Sequence, residues 1–207
     1  KGTIERIGKE FTAKTGHSVV ISSAATGVLY TQITHGAPFD LFLSADVVTP
    51  EKLEKEGKGS GRFTYAIGRL GLWKKGGPVP DEASLRDWKG ELAIANPKTA
   101  PYGAAAMATL AHLKIDPKQY RVLTGTNISQ TWQFVDTGNA KLGFVAWVNL
   151  VEAGKTGEAW AVPASFYPPI EQQALVLKKG AAVDALVAWL KGPGQAQIKA
   201  AGYALPQ

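Results

Sequence analysis

The chain has 207 residues, of which 45% are hydrophobic and 19% are charged, and its formal net charge is +6. The length allows one domain or two modest ones, and the absence of cysteine excludes disulfides and thiolate metal sites. Basic residues are scattered and do not alternate with aromatic residues, so no nucleic-acid stacking surface is expected. No apolar run approaches the ~20 residues of a membrane span, and we expect no signal peptide within this sequence.

Apolar and polar residues alternate with periods that predict helices and strands in turn. The first helix carries Ile4, Ile7 and Phe11 on one face and ends at Gly16. The further expected elements are, in chain order, strand 18–22, helix 26–35, strand 39–43, helix 49–57 capped by Thr49, strand 63–73, a short helix capped by Ser84, strands and helices alternating through 91–113, 121–137 and 142–151, strand 159–162, strand 171–178, and helices 181–190 and 194–201. This alternation favours α/β layers, and the simplest layout is two lobes connected near Gly68 and Pro169.

Small and hydroxyl-bearing residues fill the turn at 22–25, between the apolar run 19–21 and a helix that begins at Thr26. The first N–H groups of a helix have no partner within that helix. The macrodipole adds about half a positive charge at the same end, so such a turn suits an anion. For this turn taken alone, the alternative is that Thr26 is an ordinary N-cap.

The same pattern occurs twice more. After the apolar run 93–95, Pro101 suits the first turn of a helix, and Tyr102 and Gly103 would offer their amides to the same kind of anion. Further on, Thr126 or Asn127 is the expected N-cap of a third helix. Three strand-to-helix turns of one type predict that they converge on one anionic ligand.

Other chemistry finds little support in the sequence. His17, His35 and His112 lie far apart, and we interpret them as surface or hydrogen-bonded residues. Asp40 and Asp46 flank a strand end with no His or Cys nearby, so we interpret them as turn and cap residues and not as metal ligands. A hydrolase with a Ser and a distant His stays open as an alternative, although no nucleophile elbow or carboxylate pair is present. An effector-sensing domain of a transcription regulator also stays open, although no helix-turn-helix segment is visible.

Several segments resemble one family. Residues 36–46, with the sequence Gly-Ala-Pro-Phe-Asp-Leu-Phe-Leu-Ser-Ala-Asp, are similar to the molybdate-binding proteins of ABC-type uptake systems, and so are 62–73, 96–103, 142–146 and 199–203. The resemblance covers nearly the whole chain in order. It implies the α/β fold of type II periplasmic binding proteins, in which two lobes, each a mixed sheet flanked by helices, are joined by two hinge strands.

The bounds of the lobes follow from the layout of the expected elements. The first lobe would be discontinuous, with residues 1–68 plus 169–207, and the second would comprise 69–168. Family members begin with a strand and a Ser-, Thr- or Asn-bearing loop before their first helix, whereas this sequence begins with Lys1 and Gly2, already at that helix. We therefore expect the first lobe to lack that strand and one binding loop, and a chain that truly begins here to bind weakly and to be less stable.

Three residues are implied as contacts to the oxygens of molybdate, without direct coordination of the metal: Thr26, Tyr102 and Ile128. Thr26 stands where the family has a Ser whose amide and hydroxyl both bind the oxyanion. Tyr102 and Ile128 stand where relatives use backbone amides. Some relatives add a Tyr hydroxyl at a position that is Ala146 here, so that donor is expected to be absent.

The function implied by the resemblance is high-affinity binding of molybdate, and of tungstate, in the cleft between the lobes, with delivery to the membrane permease of an ABC transporter. We expect a periplasmic monomer with no catalytic residue, no cofactor and no nucleic-acid partner. The alternative ligand is another oxyanion such as sulfate or phosphate, and cavity size would decide between them. Loss of the hydroxyl in Thr26→Ala is expected to lower the affinity for molybdate.

Overall fold

The computed structural model describes residues 2–206 and contains helices and two sheets. The helices are α1 (Gly2–Thr15), α2 (Thr26–Thr34), α3 (Val48–Lys55), α4 (Glu82–Asp87), α5 (Pro101–His112), α6 (Ile128–Asp136), α7 (Trp147–Glu152), α8 (Ala181–Lys191) and α9 (Gln195–Ala200). The strands are β1 (Leu41–Leu43), β2 (Ser60–Gly68), β3 (Leu70–Trp73), β4 (Glu91–Ala95), β5 (Arg121–Gly125), β6 (Leu142–Ala146), β7 (Ala159–Ala161) and β8 (Ile170–Val176).

The chain forms two compact units. The terminal unit is built from both ends of the chain, up to Ile67 and from Glu171 onward, and the central unit runs from Gly68 to Ile170. The chain therefore crosses between the units twice. Both crossings lie close to the expected lobe bounds at 68/69 and 168/169, which stay a prediction.

The terminal unit has a three-stranded sheet in the order β1–β8–β2, with β1 and β8 antiparallel. Successive residues of a strand point to opposite faces, so Ala174 and Leu175 serve different cores. Ala174 packs in a cluster with residues of α1, α8 and α9. Leu175 packs in a cluster with Ile33 of α2 and Leu53 of α3. Helices thus cover both faces of this sheet.

The central unit has a five-stranded sheet in the order β5–β4–β6–β3–β7. β4 is parallel to β5 and to β6, whereas β3 is antiparallel to β6 and β7. Ile94 packs in a cluster with α4 and α5, and its neighbour Ala93 packs in a cluster with α6 and α7. The three parallel strands β5, β4 and β6 end at one edge, which we call the carboxyl edge, and α6, α5 and α7 follow them.

Two expected strands differ in the structure. The strand at 18–22 is wrong, because residues 16–25 form no helix or strand and Val20 is 92% exposed. Its apolar pattern is not sufficient, since no strand within residues 2–206 pairs with it. The expected strand 63–73 is interrupted at Arg69, where β2 has ended and β3 has not begun.

Two expected helix caps are also wrong. The carboxylate of Asp81, and not Ser84, caps α4, because it accepts a hydrogen bond of 2.7 Å from the Ser84 N–H. Thr49 lies inside α3, and its N–H donates to the Asp46 carboxylate over 2.9 Å. In both cases an aspartate three residues earlier is the better acceptor for the free N–H groups of the first turn.

Candidate functional site

The carboxyl edge brings two of the three expected site residues to one place. Ala95, the last residue of β4, lies opposite Gly125, the last residue of β5, and the Asn96 N–H continues the ladder with a bond of 2.8 Å to the Gly125 carbonyl. Open α/β sheets bind ligands outside the carboxyl ends of their strands. Tyr102 at the start of α5 and Ile128 at the start of α6 both lie at this edge.

The start of α5 follows the expected pattern at Pro101 but not at Gly103, whose N–H is bonded to the Ala100 carbonyl and is not offered to an anion. Pro101 occupies the first turn, as predicted, and Ala100 is the N-cap residue. The carbonyl of Ala100 accepts bonds of 2.9 and 3.1 Å from the N–H groups of Gly103 and Ala104. The Tyr102 N–H precedes these two, in the group of amides that face outward along a helix axis. That direction suits an anion in front of the helix.

Glycines allow both helix starts to lie directly against strand ends. A Cβ on Gly103 would collide with the Ala95 carbonyl oxygen and would lie 2.8 Å from the Asn96 carbonyl carbon. A Cβ on Gly125 would lie 2.6 Å from the Thr131 Oγ1 in α6. Neither position has room for a side chain. Glycine at both positions therefore allows the starts of α5 and α6 to lie this close to the strand ends.

The ring of Tyr102 is buried and helps to fix the same turn. Its side chain is 7% exposed and belongs to the cluster beneath α5. The hydroxyl lies beside Gly68, where an added Cβ would come within 2.9 Å of the Tyr102 Cζ and 3.0 Å of the Ile170 Cγ2. The ring therefore packs where the chain enters and leaves the central unit.

The start of α6 is held by two reciprocal side-chain bonds. Asn127 is the N-cap, which decides between the two expected candidates, and its Oδ1 accepts from the Gln130 N–H over 2.9 Å. The Gln130 Oε1 accepts from the Thr126 N–H over 2.7 Å. Within residues 2–206, no hydrogen bond uses the N–H of Ile128 or Ser129. Sequence reasoning missed Gln130, although the spacing Asn-x-x-Gln resembles a capping box.

A basic side chain stands at the same edge and was also missed. The Trp147 N–H, at the start of α7, donates to the Arg69 carbonyl over 2.8 Å, and the Arg69 guanidinium carbon lies 5.1 Å from the centroid of the Trp147 ring. The Tyr167 hydroxyl accepts from the Leu70 N–H over 3.0 Å. Burial raises the pKa of Tyr167, and the Leu70 N–H and the charge of Arg69 act in the opposite direction. The feature of the sequence that could have pointed to Arg69 is its place as a single basic residue between Gly68 and the apolar strand β3.

Thr26 belongs to the terminal unit and begins α2, but it is not the N-cap. The N-cap residue is Ala25, which has an extended backbone and whose carbonyl accepts from the N–H groups of Val28 and Leu29 over 2.9 and 3.1 Å. Thr26 is half-buried. In the described part of the chain, the Thr26 hydroxyl and the N–H groups of Thr26 and Gly27 make no hydrogen bond. The two N–H groups belong to the first turn of α2 and face outward along the helix axis.

Comparisons with known proteins identify the family. A family model described as bacterial extracellular solute-binding protein matches residues 1–204. The chain belongs to this family. The molybdate-binding protein ModA of Azotobacter vinelandii is 48% identical over an alignment 211 residues long, and the alignment covers 96% of this chain and 84% of that protein. The ModA protein of Rhodobacter capsulatus is 43% identical over 203 residues, which span 94% of this chain and 80% of that protein.

A solved structure supports the same assignment. The periplasmic molybdate-binding protein of Azotobacter vinelandii aligns with a TM-score of 0.82 at 42% identity, over 100% of this chain and 95% of that chain. The resemblance seen in the sequence is therefore confirmed. The two-lobe α/β fold class is confirmed as well.

The other candidate residues of this solute-binding protein have local partners. His17 and His112 stack on neighbouring phenylalanines, and the His35 Nδ1 lies 2.7 Å from a carbonyl oxygen of its own helix. The Asp46 carboxylate holds the start of α3, and the Asp40 carbonyl accepts from two N–H groups after β8. Over residues 2–206, no group of three or more His, Cys, Asp or Glu side chains could hold a metal ion. None of the helices in that range is both long enough and apolar enough to cross a membrane.

Proposed function

We propose that this chain binds molybdate, and also tungstate, with high affinity and delivers it to the membrane permease of an ABC transporter. The observation that carries the proposal is the 48% identity, over 96% of the chain, to a protein named for molybdate binding. The protein acts in the periplasm as a monomer. It carries out no reaction on its ligand and uses no cofactor.

The proposed site consists of Thr26, Tyr102 and Ile128, which bind the oxygens of the ligand and not its metal. The N–H groups at three helix starts donate to the anion, and the Thr26 hydroxyl adds one further donor. Hydrogen bonds to an ionised acceptor are about twice as strong as neutral ones. Neutral donors and helix dipoles thus offset the loss of hydration without a buried cation in contact with the ligand.

The donor set also favours the fully deprotonated form of the ligand. N–H and O–H groups can donate to every oxygen of a fully deprotonated tetrahedral dianion, whereas a protonated oxygen would need an acceptor. We propose that the lobes 1–68 plus 169–207 and 69–168 each contribute helix starts. A ligand that binds donors of both lobes shifts the population toward a closed state by hinge motion.

The test is calorimetry and thermal unfolding with the sodium salts of molybdate, tungstate, sulfate and phosphate at equal ionic strength, with chloride as the control. Ligand stabilisation follows RT ln(1 + [L]/Kd), which is about 4 kcal/mol at a thousandfold excess over Kd. We expect molybdate and tungstate to raise the unfolding temperature of the protein by much more than sulfate and phosphate do. Equal or stronger stabilisation by sulfate or phosphate would assign the site to that anion instead.

A further inference from the structure

We propose that Arg69 attracts the anion to the carboxyl edge and accelerates its association without touching the bound ligand. Arg69 would thus be a positioning residue that acts through its electric field. The inference rests on the proposed function, because it requires that the ligand is an anion that binds at this edge.

Arg69 lies at the carboxyl edge of the sheet in the central unit. β3 is antiparallel to β6, and Leu70 lies opposite Ala146, the last residue of β6. Arg69 directly precedes Leu70, so it stands at the edge where the parallel strands end. Neighbouring strands lie about 4.8 Å apart. β3 is two strands from β4, so the backbone of Arg69 lies on the order of 10 Å from the strand end that leads to Tyr102.

Within residues 2–206, no carboxylate forms an ion pair with Arg69. Three of the other four arginines form ion pairs with glutamates: Arg62 with Glu54, Arg86 with Glu82 and Arg121 with Glu91. Across residues 2–206, no such pair involves Arg69. Its guanidinium instead lies over the Trp147 ring at 5.1 Å, a contact that holds a cation without cancelling its charge.

The backbone of Arg69 is fixed by a hydrogen bond. The Arg69 carbonyl accepts the Trp147 N–H over 2.8 Å, so the residue that carries the cation is tied to the start of α7. The side chain is partly exposed, so its field reaches solvent. A fixed, partly exposed and unneutralised cation at a binding edge is what electrostatic steering requires.

The expected size of the effect follows from Coulomb's law. If the guanidinium charge and the dianion are taken to lie about 10 Å apart in water, their attraction changes the encounter rate about fourfold at low ionic strength. The Debye length is about 8 Å at physiological salt, which reduces the factor to about 1.5. Salt dependence of the association rate therefore separates this role from a structural one.

The chain supplies a matched control at the other end of the same strand. Lys74 follows Trp73, the last residue of β3, and its Nζ lies 5.4 Å from the centroid of the Trp88 ring. Lys74→Gln and Arg69→Gln therefore each remove one partly exposed cation from an aromatic ring at opposite ends of β3. Arg69→Lys keeps the charge at the carboxyl edge.

The experiment measures association and dissociation rates of sodium molybdate with the whole chain, by stopped-flow tryptophan emission and by kinetic calorimetry, across a series of salt concentrations. We expect Arg69→Gln to lower the association rate about fourfold at low salt and to flatten its salt dependence. The dissociation rate should stay constant, and Lys74→Gln and Arg69→Lys should behave like the wild type.

The outcomes separate the two proposals. If the wild type does not bind molybdate, the proposed function fails and this inference fails with it. If the wild type binds and Arg69→Gln matches Lys74→Gln in rate and salt dependence, only the role of Arg69 is overturned. A faster dissociation with an unchanged association rate would show that Arg69 contacts the bound anion, which also overturns the inference.

Discussion

The start of α2 in the terminal unit and the starts of α5 and α6 in the central unit are built in different ways. The central pair lies against strand ends through Gly103 and Gly125, and α6 has reciprocal side-chain caps. The start of α2 follows residues 16–25, which form no helix or strand, and Ala25 provides no side-chain cap. The central unit therefore holds its N–H groups in place before any ligand binds, whereas the start of α2 has more to gain in order from the ligand itself.

Gly103→Ala should give the largest effect, because it disturbs the close packing of α5 against the end of β4. The added Cβ would collide with the backbone of Ala95, so the first turn of α5 must shift. Overpacking of this kind lowers the free energy of unfolding by about 1–3 kcal/mol. Affinity for molybdate should fall as well, because the Tyr102 amide moves with the turn. Urea unfolding and calorimetry measure the two effects.

Gly27→Ala is the matched control in α2. No atom lies within 4 Å of the added Cβ, and alanine is favoured over glycine in a helix by about 0.5–1 kcal/mol. The two glycine variants should therefore change stability in opposite directions. If both shift the urea midpoint equally, the close approach of α5 to β4 does not constrain the site.

Ile128→Pro tests a single N–H group at the edge. Proline is tolerated at the first position of a helix, and the extended backbone of Asn127 is compatible with a following proline. The fold should persist while the proposed amide donor is lost. A hydrogen bond to a charged group contributes about 1.5–3 kcal/mol, so calorimetry should show a fall in affinity of about one to two orders of magnitude. An unchanged affinity would remove Ile128 from the site.

Thr26→Ala tests the other side of the comparison. The Thr26 hydroxyl makes no hydrogen bond within residues 2–206, so the unliganded free energy of unfolding should change by no more than about 0.5 kcal/mol, the difference in helix propensity. Affinity for molybdate should fall about tenfold with the loss of one donor to a charged ligand. Thr26→Ser keeps the hydroxyl and should bind like the wild type. A variant that loses stability but keeps affinity would contradict the assignment.

Asn127→Ala tests the side-chain cap at the start of α6. It removes the 2.9 Å bond to the Gln130 N–H, and the loss of an N-cap lowers the free energy of unfolding by about 1 kcal/mol. Ser129→Ala is a suitable control, because Ser129 is exposed and follows the cap in the same turn. Equal urea midpoints for the two variants would mean that the side-chain cap adds nothing to this helix start.

The same contrast explains what the sequence could predict. Pro101 and Asn127 were correctly expected at helix starts, because a cap depends on residue types within one turn of the chain. The strand at 18–22 was wrong, because a strand also needs a partner that a local pattern does not provide. Thr26 was correctly expected at the start of α2 but was wrong as its N-cap, since the choice between adjacent residues depends on backbone conformation at Ala25.

The position of Arg69 shows a further limit of local patterns. Its place at the carboxyl edge follows from the antiparallel register of β3 against β6, two strands that lie far apart in the chain. The ring beneath it, Trp147, belongs to a helix that begins only after β6. No spacing within the sequence predicts that register. The presence of Arg69 at the carboxyl edge could therefore be recognised only once the pairing of β3 with β6 was known.

Ile128→Val should have the smallest effect and makes the proline variant interpretable. The side chain is half-buried and packs at the border of the cluster beneath α5, so removing one methyl group lowers the free energy of unfolding by about 0.5–1 kcal/mol. Valine keeps the N–H group of residue 128, which is the proposed donor. The affinity for molybdate measured by calorimetry should therefore stay within about twofold of the wild type. If valine weakens binding as much as proline does, the side chain and not the N–H group meets the ligand. The start of α6 would then bind the ligand through the packing of a side chain and not through a hydrogen bond from an N–H group.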